Sequence, residues 1–398
     1  MSFFGNRPPF IIKAIEEQLR EGFELGPQSH IAGEAAQLIC ELTGAERAAF
    51  CNTGSEAVMF AVRMARAFTN RNKIVLFSGA YHGNSDGVLA APGEDGTSVP
   101  AAPGTTQGAV QDVLVLNYGV PESLEIIKSH AYELAAVLVE PVQSRRPGFQ
   151  PKEFLHELRE LTLKENIVLI FDEMITGFRI HPGGAQAWFG VKSDLATYGK
   201  IVAGGMPVGV VAGKAQYMNV IDGGIWQFGD DSHPQGEMIF FAGTFCKHPL
   251  TMAAAKAALT YLKEQGPELQ QLINERTAYF ARTLNRFFEE ESVAIRVEYF
   301  GSLFRFESFG KYHQLLQPIE MDIFFYLLLE KGIYTWEKRV SFFSTAHTDE
   351  DIEYIIAKVK EAIYEMRDGG FTIEANQSKK QASIAAPVSY PINEAQKQ

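Results

Sequence analysis

The chain has 398 residues, 46% of them apolar and 21% charged, with a formal net charge of −12. That is the composition of a water-soluble globular protein of two or three domain-sized units, or one large body with an appendage. Its acidity argues against a nucleic-acid partner. Cys40, Cys51 and Cys246 are isolated and odd in number, which excludes a disulfide framework and a close-spaced zinc set and points to a reducing, cytoplasmic setting. The opening MSFFGNRP has no apolar signal-peptide core. The most apolar stretch, 201–212, is short and broken by glycine and proline, so no membrane span is expected.

Along the chain, the turn Asn52-Thr53-Gly54-Ser55-Glu56-Ala57 leads into a helix-period run over 58–65. A strand is predicted at 73–77 (KIVLF), with Tyr81-His82-Gly83 just beyond it. Further strands are predicted at 135–139, ending in Glu140-Pro141-Val142, and at 167–171, ending in Asp172-Glu173. Between these two, 152–164 reads as an amphipathic helix with Phe154, Leu155, Leu158 and Leu161 on one face. The run Asp194-Leu195-Ala196-Thr197-Tyr198-Gly199 ends on Lys200, followed by a glycine-rich apolar stretch. Strand and helix alternate from about residue 10 to 260, which implies an α/β body with a mainly parallel sheet flanked by helices. From Ser292 the pattern turns strand-rich (293–300, 303–306) and closes on a helix over 349–366, the mark of a smaller α+β domain. The expected division is 1–270, 271–370, and an exposed tail or linker over 371–398, whose later residues are polar and aperiodic.

Lys200 is the residue on which function turns. A lysine between an apolar strand and a glycine turn loses solvation, and a desolvated amine is a usable nucleophile. Asp172, directly after five apolar residues, needs a partner if buried, and a protonated pyridine ring would be one. Glu140 places a second acid at a strand's carboxyl end, the edge where open α/β sheets bind ligands. Small residues at a helix start free N–H groups for a phosphate, although Asn52 to Ala57 alone is more often an ordinary cap. Tyr81 alone is more often core than a ring for stacking. Gly83-Asn84-Ser85-Asp86-Gly87 matches a hydrolase nucleophile elbow, but no strand runs into it and loop sequence follows, so the match is taken as chance.

The order and spacing of Thr53 to Ala57, Tyr81-His82-Gly83, Glu140-Pro141-Val142, 172–179 (DEMITGFR), Gly199-Lys200 and Ala242-Gly243-Thr244 resemble class III aminotransferases, most of all the glutamate-1-semialdehyde aminomutase branch. The resemblance spans roughly residues 10 to 365. It implies the type I fold of pyridoxal-phosphate transferases, with a large cofactor domain and a small C-terminal one, and pyridoxal 5'-phosphate as cofactor. By position, Lys200 corresponds to the lysine that bonds the cofactor and Asp172 to the partner of its ring nitrogen. Met174 lies under the ring, and Tyr81 above it takes part in catalysis. Gly54 and Ser55 are implied phosphate ligands, Thr244 a phosphate ligand from the other subunit of a homodimer, and His82 and Glu140 further cofactor contacts. Two features depart from the aminomutases. Their long N-terminal segment is missing, and Glu140-Pro141-Val142 continues as Gln143-Ser144-Arg145-Arg146-Pro147-Gly148, which puts charge at the substrate mouth. This variant resembles aminotransferase domains of hybrid polyketide–nonribosomal peptide synthetases, and the ending YPINEAQKQ resembles the start of a condensation domain. The implied substrates are an amino-acid donor, glutamate-like, and a β-keto acyl thioester on a carrier protein. Arg145, Arg146 and Arg179 are all candidates for a carboxylate contact; Arg145 and Arg146 sit in this turn as substrate candidates, while Arg179 lies in a motif shared whatever the substrate. A free-standing aminomutase, a decarboxylase or racemase of the same fold, and a non-catalytic scaffold are the alternatives. Intact Lys200 and Asp172 speak against the scaffold.

Overall fold

A computed structural model describes residues 3–25, 29–226, 229–310, 318–335 and 339–374. Helices α1 (Pro9–Glu21) and α2 (His30–Thr43) precede strand β1 (Arg47–Cys51) and helix α3 (Gly54–Thr69). Strand β2 (Lys73–Phe77) follows, then short strands β3 (Ala90–Pro92) and β4 (Ser98–Pro100), and α4 (Gln107–Val110). The body continues through β5 (Val113–Leu116), α5 (Pro121–Ser129), β6 (Leu134–Val139), α6 (Lys152–Lys164) and β7 (Val168–Asp172). It then runs through α7 (Gly184–Phe189), β8 (Leu195–Tyr198), β9 (Gly209–Gly213), α8 (Ala215–Met218) and α9 (Pro249–Gln265). The last part comprises α10 (Glu268–Glu290), β10 (Ile295–Phe300), β11 (Leu303–Ser308), α11 (Ile319–Glu330), β12 (Ser341–Phe342) and α12 (Asp349–Asp368).

Seven strands form the main sheet in the order β1-β9-β8-β7-β6-β2-β5. The pairs β2–β5, β2–β6, β6–β7 and β7–β8 are parallel, and only β9 runs against its neighbours β1 and β8. The sheet is covered on both faces, which is why its strands are continuous apolar runs. Period-two alternation splits each strand between two cores. Val75 and Phe77 of β2 join Val137, Val139, Leu169 and Phe171 on one face. Ile74 and Leu76 join Ala136, Leu138, Val168 and Ile170 on the other, against Val58, Phe60, Ala61, Met64 and Ala65 of α3. The α/β expectation holds. The antiparallel β9 leaves no trace in periodicity, because a buried strand reads alike in either direction.

A three-stranded sheet, β10-β11-β12, makes the smaller α+β part. Phe300 pairs with Leu303 across Gly301-Ser302, where Gly301 holds a φ of +58° that suits glycine. Helix α12 begins where its sequence predicts, with Thr348 and Asp351 capping each other's backbone N–H groups.

Two expectations are corrected. The stretch after residue 88, read as loop, contains the β3–β4 hairpin; its three-residue strands, each ending on proline, are too short to show a period. The exposed tail does not begin at Phe371: Ile373 is buried, its carbonyl accepts from Ala294, and Glu374 bridges to Val293. The rest of the expected linker, including the condensation-like ending, lies outside the described residues.

Candidate active site

The candidate residues converge because β2, β6, β7 and β8 are parallel and release their chains at one edge of the sheet. Since β1 and β8 both run against β9, the N-terminus of α3 opens at that same edge.

Asp172 ends β7, buried at 5% exposure. Its Oδ1 accepts from the Met174 N–H at 3.1 Å and from the Thr197 hydroxyl at 3.2 Å. Its Oδ2 lies 2.8 Å from His82 Nδ1. The carboxylate accepts, so Nδ1 carries the proton. His82 Nε2 is buried and has no hydrogen-bond partner among the described residues. No lysine or arginine side chain within the described residues forms an ion pair with Asp172.

Lys200 lies two residues past β8, ahead of the buried Ile201, Val202 and Ala203. Burial pushes its amine below the ordinary lysine range, while the negative charges of Asp172 and Glu140 pull it back up. The amine has no hydrogen bond or ion pair among the described residues.

Helix α3 starts with Thr53 as its cap, the hydroxyl accepting from the Glu56 N–H at 3.1 Å, and Glu56 accepts from the Asn52 N–H at 2.7 Å. The Gly54 and Ser55 N–H groups are left with no acceptor among the described residues, the usual state of an anion-binding helix start. The Ser55 hydroxyl accepts from the Asn84 N–H at 3.2 Å, and a Cβ on Gly83 (φ +94°) would stand 2.5 Å from that oxygen. Glycine is therefore required where the turn after Tyr81 meets the helix start. The Met174 thioether fills the space between Gly54 and Gly199, where an added Cβ would come within 2.8 Å and 2.3 Å of its sulfur.

Glu140 is buried, and its carboxylate accepts from the Tyr81 N–H at 3.0 Å and the Ser144 N–H at 3.4 Å. Burial raises its pKa. Its work is to fix the turn that presents Tyr81, a residue 52% exposed. Gln143, buried, adds a second tie by donating to the Ser78 carbonyl at 2.9 Å.

The arginines separate by position. Arg145 is exposed and lies 5.9 Å over the Tyr81 ring. Arg146 is turned onto Phe149 at 4.7 Å, so the structure brings only the first of the two substrate candidates to Tyr81. Arg179 is 1% exposed, donates to the Ile175 carbonyl and the Ser302 hydroxyl, and packs on Phe3 and Phe342. Burial brings its pKa down to about 9, and it is a structural post between the two sheets. Thr244 is exposed, in a turn whose Gly243 lies against Asn52 of its own chain.

The pairings of His82 and Thr197 with Asp172 and the tie from Gln143 were not foreseen. The only sequence signal was for Thr197: in a parallel sheet it sits opposite Asp172 once β7 and β8 are paired.

This donor set fits pyridoxal 5'-phosphate: a helix start for the phosphate, a buried acid lacking a cation for the ring nitrogen, and a desolvated amine for the aldehyde. A family model, "Aminotransferase class-III", matches residues 2–363. The chain belongs to the class III aminotransferases. It is a pyridoxal-phosphate-dependent transaminase. It is 38% identical over 362 residues to "Glutamate-1-semialdehyde 2,1-aminomutase 2" of Lachnoclostridium phytofermentans, covering 88% of this chain and 82% of that one. A second aminomutase, from Alkaliphilus oremlandii, is 36% identical over 91% of this chain and 84% of its own. Among solved structures, a β-phenylalanine aminotransferase from Variovorax paradoxus superimposes with a TM-score of 0.80 at 31% identity, over 94% of this chain and 83% of that one. An ω-transaminase from Sphaerobacter thermophilus gives 0.81 at 30%, over 90% and 83%. Among the described residues, no helix is long and apolar enough to cross a membrane.

Proposed function

We propose that this chain moves an amino group from an amino-acid donor, glutamate-like, to the β-keto group of an acyl chain carried as a thioester on a carrier protein. Bound pyridoxal phosphate supplies an electron sink next to the Cα bond that breaks. Lys200 Nζ would hold the cofactor and would carry the proton to and from the donor's Cα. Asp172, oriented by His82, Thr197 and the Met174 N–H, keeps the ring nitrogen protonated. Tyr81 and Met174 would hold the ring by packing against it. The observation that carries the reading is Arg145 standing exposed over Tyr81 in the turn that departs from the aminomutases. It puts an exposed cation beside the Tyr81 ring, where the proposal has the donor carboxylate bind. A β-amino acid aminotransferase among the similar structures supports amination at the β position. A tethered acceptor reacts at high effective concentration, so tight acyl recognition is not needed.

A free-standing glutamate-1-semialdehyde aminomutase is the second reading, and the names of the relatives favour it over the first. One experiment divides them. The holoenzyme is given glutamate-1-semialdehyde alone, or a β-ketoacyl carrier protein with glutamate, and products are read by mass spectrometry. Amination of the carrier-bound chain with no conversion of the semialdehyde supports the first reading. The reverse pattern supports the second.

The site is further proposed to be completed across a homodimer, with Thr244 binding the phosphate held by the other subunit. Its exposure, beside the exposed Phe240 and Phe245, supports this. Mixing Lys200→Ala chains with Thr244→Ala chains tests it. If Thr244 acts in trans, each mixed dimer has one site with both defects and one with neither, and activity partly returns. If mixing restores nothing, Thr244 does not act in trans.

A further inference from the structure

The segment from Glu140 to Gln150 joins the two sheets. At its start, Glu140 and Gln143 hold the turn that presents Tyr81. Further along, the Arg145 carbonyl accepts from Arg305 Nη1 at 2.6 Å. A Cβ on Gly148 would lie 3.0 Å from the Glu298 carboxyl carbon, and Gln150 donates to the Tyr299 carbonyl at 3.4 Å. Glu298 and Arg305 face each other in the register of the β10–β11 hairpin. One rung of the small sheet therefore holds the segment at Arg145 and leaves no room for a side chain at Gly148. Arg305 also forms an ion pair with Glu307 at 2.9 Å, so its own charge is neutralised within the hairpin.

We infer that Arg305 is a positioning residue: by holding the Arg145 carbonyl it keeps the Arg145 guanidinium over Tyr81 and so sets the affinity for the donor's carboxylate. This rests on the reading that Arg145 meets that carboxylate. An exposed arginine on a loose turn spreads over many rotamers and backbone states, and each must be given up on binding. Fixing its own carbonyl removes the backbone part of that cost before the donor arrives. The hydrogen bond is charge-assisted, its donor a guanidinium, and it reaches across 160 positions to a backbone atom.

The two residues can be separated cleanly. Arg145→Ala keeps the carbonyl and its bond to Arg305 but loses the guanidinium; Arg305→Gln keeps the guanidinium but loosens the carbonyl. The donor half-reaction of the full-chain holoenzyme is measured alone, so the acceptor plays no part, and succinate binding is followed by calorimetry as a non-reacting dicarboxylate probe. Arg305→Gln should raise the donor KM and the succinate Kd by up to roughly tenfold, the cost of ordering about one residue's backbone on binding, with kcat within about twofold. Arg305→Lys, which still donates one bond, should recover part of the loss and guards against a folding defect in the glutamine variant. In the double variant the two effects should not add, because Arg305 acts through Arg145. Normal KM and Kd in Arg305→Gln beside raised values in Arg145→Ala overturn the inference alone, as does full additivity. Normal values in Arg145→Ala overturn the inference together with the carboxylate reading of Arg145.

Discussion

Two buried aspartates at opposite ends of the same parallel strand pair have opposite fates. Asp194, just before β8, is 0% exposed and surrounded by donors: the Leu169 N–H at 2.9 Å, Arg159 at 2.9 Å and Lys214 at 2.7 Å. Its charge is answered within the fold, and it ties α6 and the segment after β9 to the sheet. Asp172, at the end of β7, has an N–H, a hydroxyl and an imidazole, and no lysine or arginine ion pair among the described residues. A buried carboxylate kept without a cation is costly unless something positive completes it. The comparison teaches that burial alone does not mark a functional acid. The missing countercharge, at the edge where strands release their loops, does.

The largest effect belongs to the group that Asp172 serves. Lys200→Ala should reduce turnover by more than about 10⁴-fold, because covalent attachment and proton transfer vanish together. Steady-state assay with an amino donor checks this, and retained transamination would place the chemistry elsewhere. Next comes Asp172→Asn, which keeps the shape but cannot hold a positive ring nitrogen. The rate should fall at least about a hundredfold with a smaller change in cofactor affinity. Asp194→Asn is the counterpart: it should lower stability by about 2–3 kcal/mol, since two cations lose their buried partner, while activity per folded molecule stays normal. Thermal unfolding beside single-turnover rates separates the two aspartates; equal effects on rate would erase the distinction drawn here.

The smallest effect is on titration. Burial lowers the pKa of Lys200, so its free-base form is present at lower pH than for an ordinary lysine. Labelling of the cofactor-free protein by an amine-selective reagent across pH, read at the Lys200 peptide, should show a midpoint below 10.5. Asp172→Asn should move the midpoint lower still, because the negative charge that favours the ammonium form is gone. A rise instead would mean that Asp172 does not act on Lys200.

Much of this was legible in the chain because the signals are local. An apolar run that stops on an acid, as at Asp172, or gives way to glycine beyond a lysine, as at Lys200, states both strand and edge. The helix start at Thr53 carries its cap residues within four positions. What was illegible depends on contacts between distant segments. His82 reaches Asp172 across 90 positions, through a sheet order (β7-β6-β2) that no periodicity encodes. The ranking of Arg145, Arg146 and Arg179 needed burial and neighbours, because three arginines in loops read alike. Ile373 docks through a single bridge, too short to leave a pattern beside the polar residues that follow. Arg305 sits in an ordinary strand, and only the fold shows that it grips a carbonyl 160 positions away.

The central claim is that Lys200, beside an acid left without a cation, is the residue that bonds the cofactor. The most direct test is to load the protein with pyridoxal phosphate, reduce it with borohydride, and locate the pyridoxyl group by peptide mass spectrometry. The label is predicted on Lys200 alone, and absent from the Lys200→Ala variant treated the same way. A label on another lysine, with Lys200 unmodified, would contradict the account.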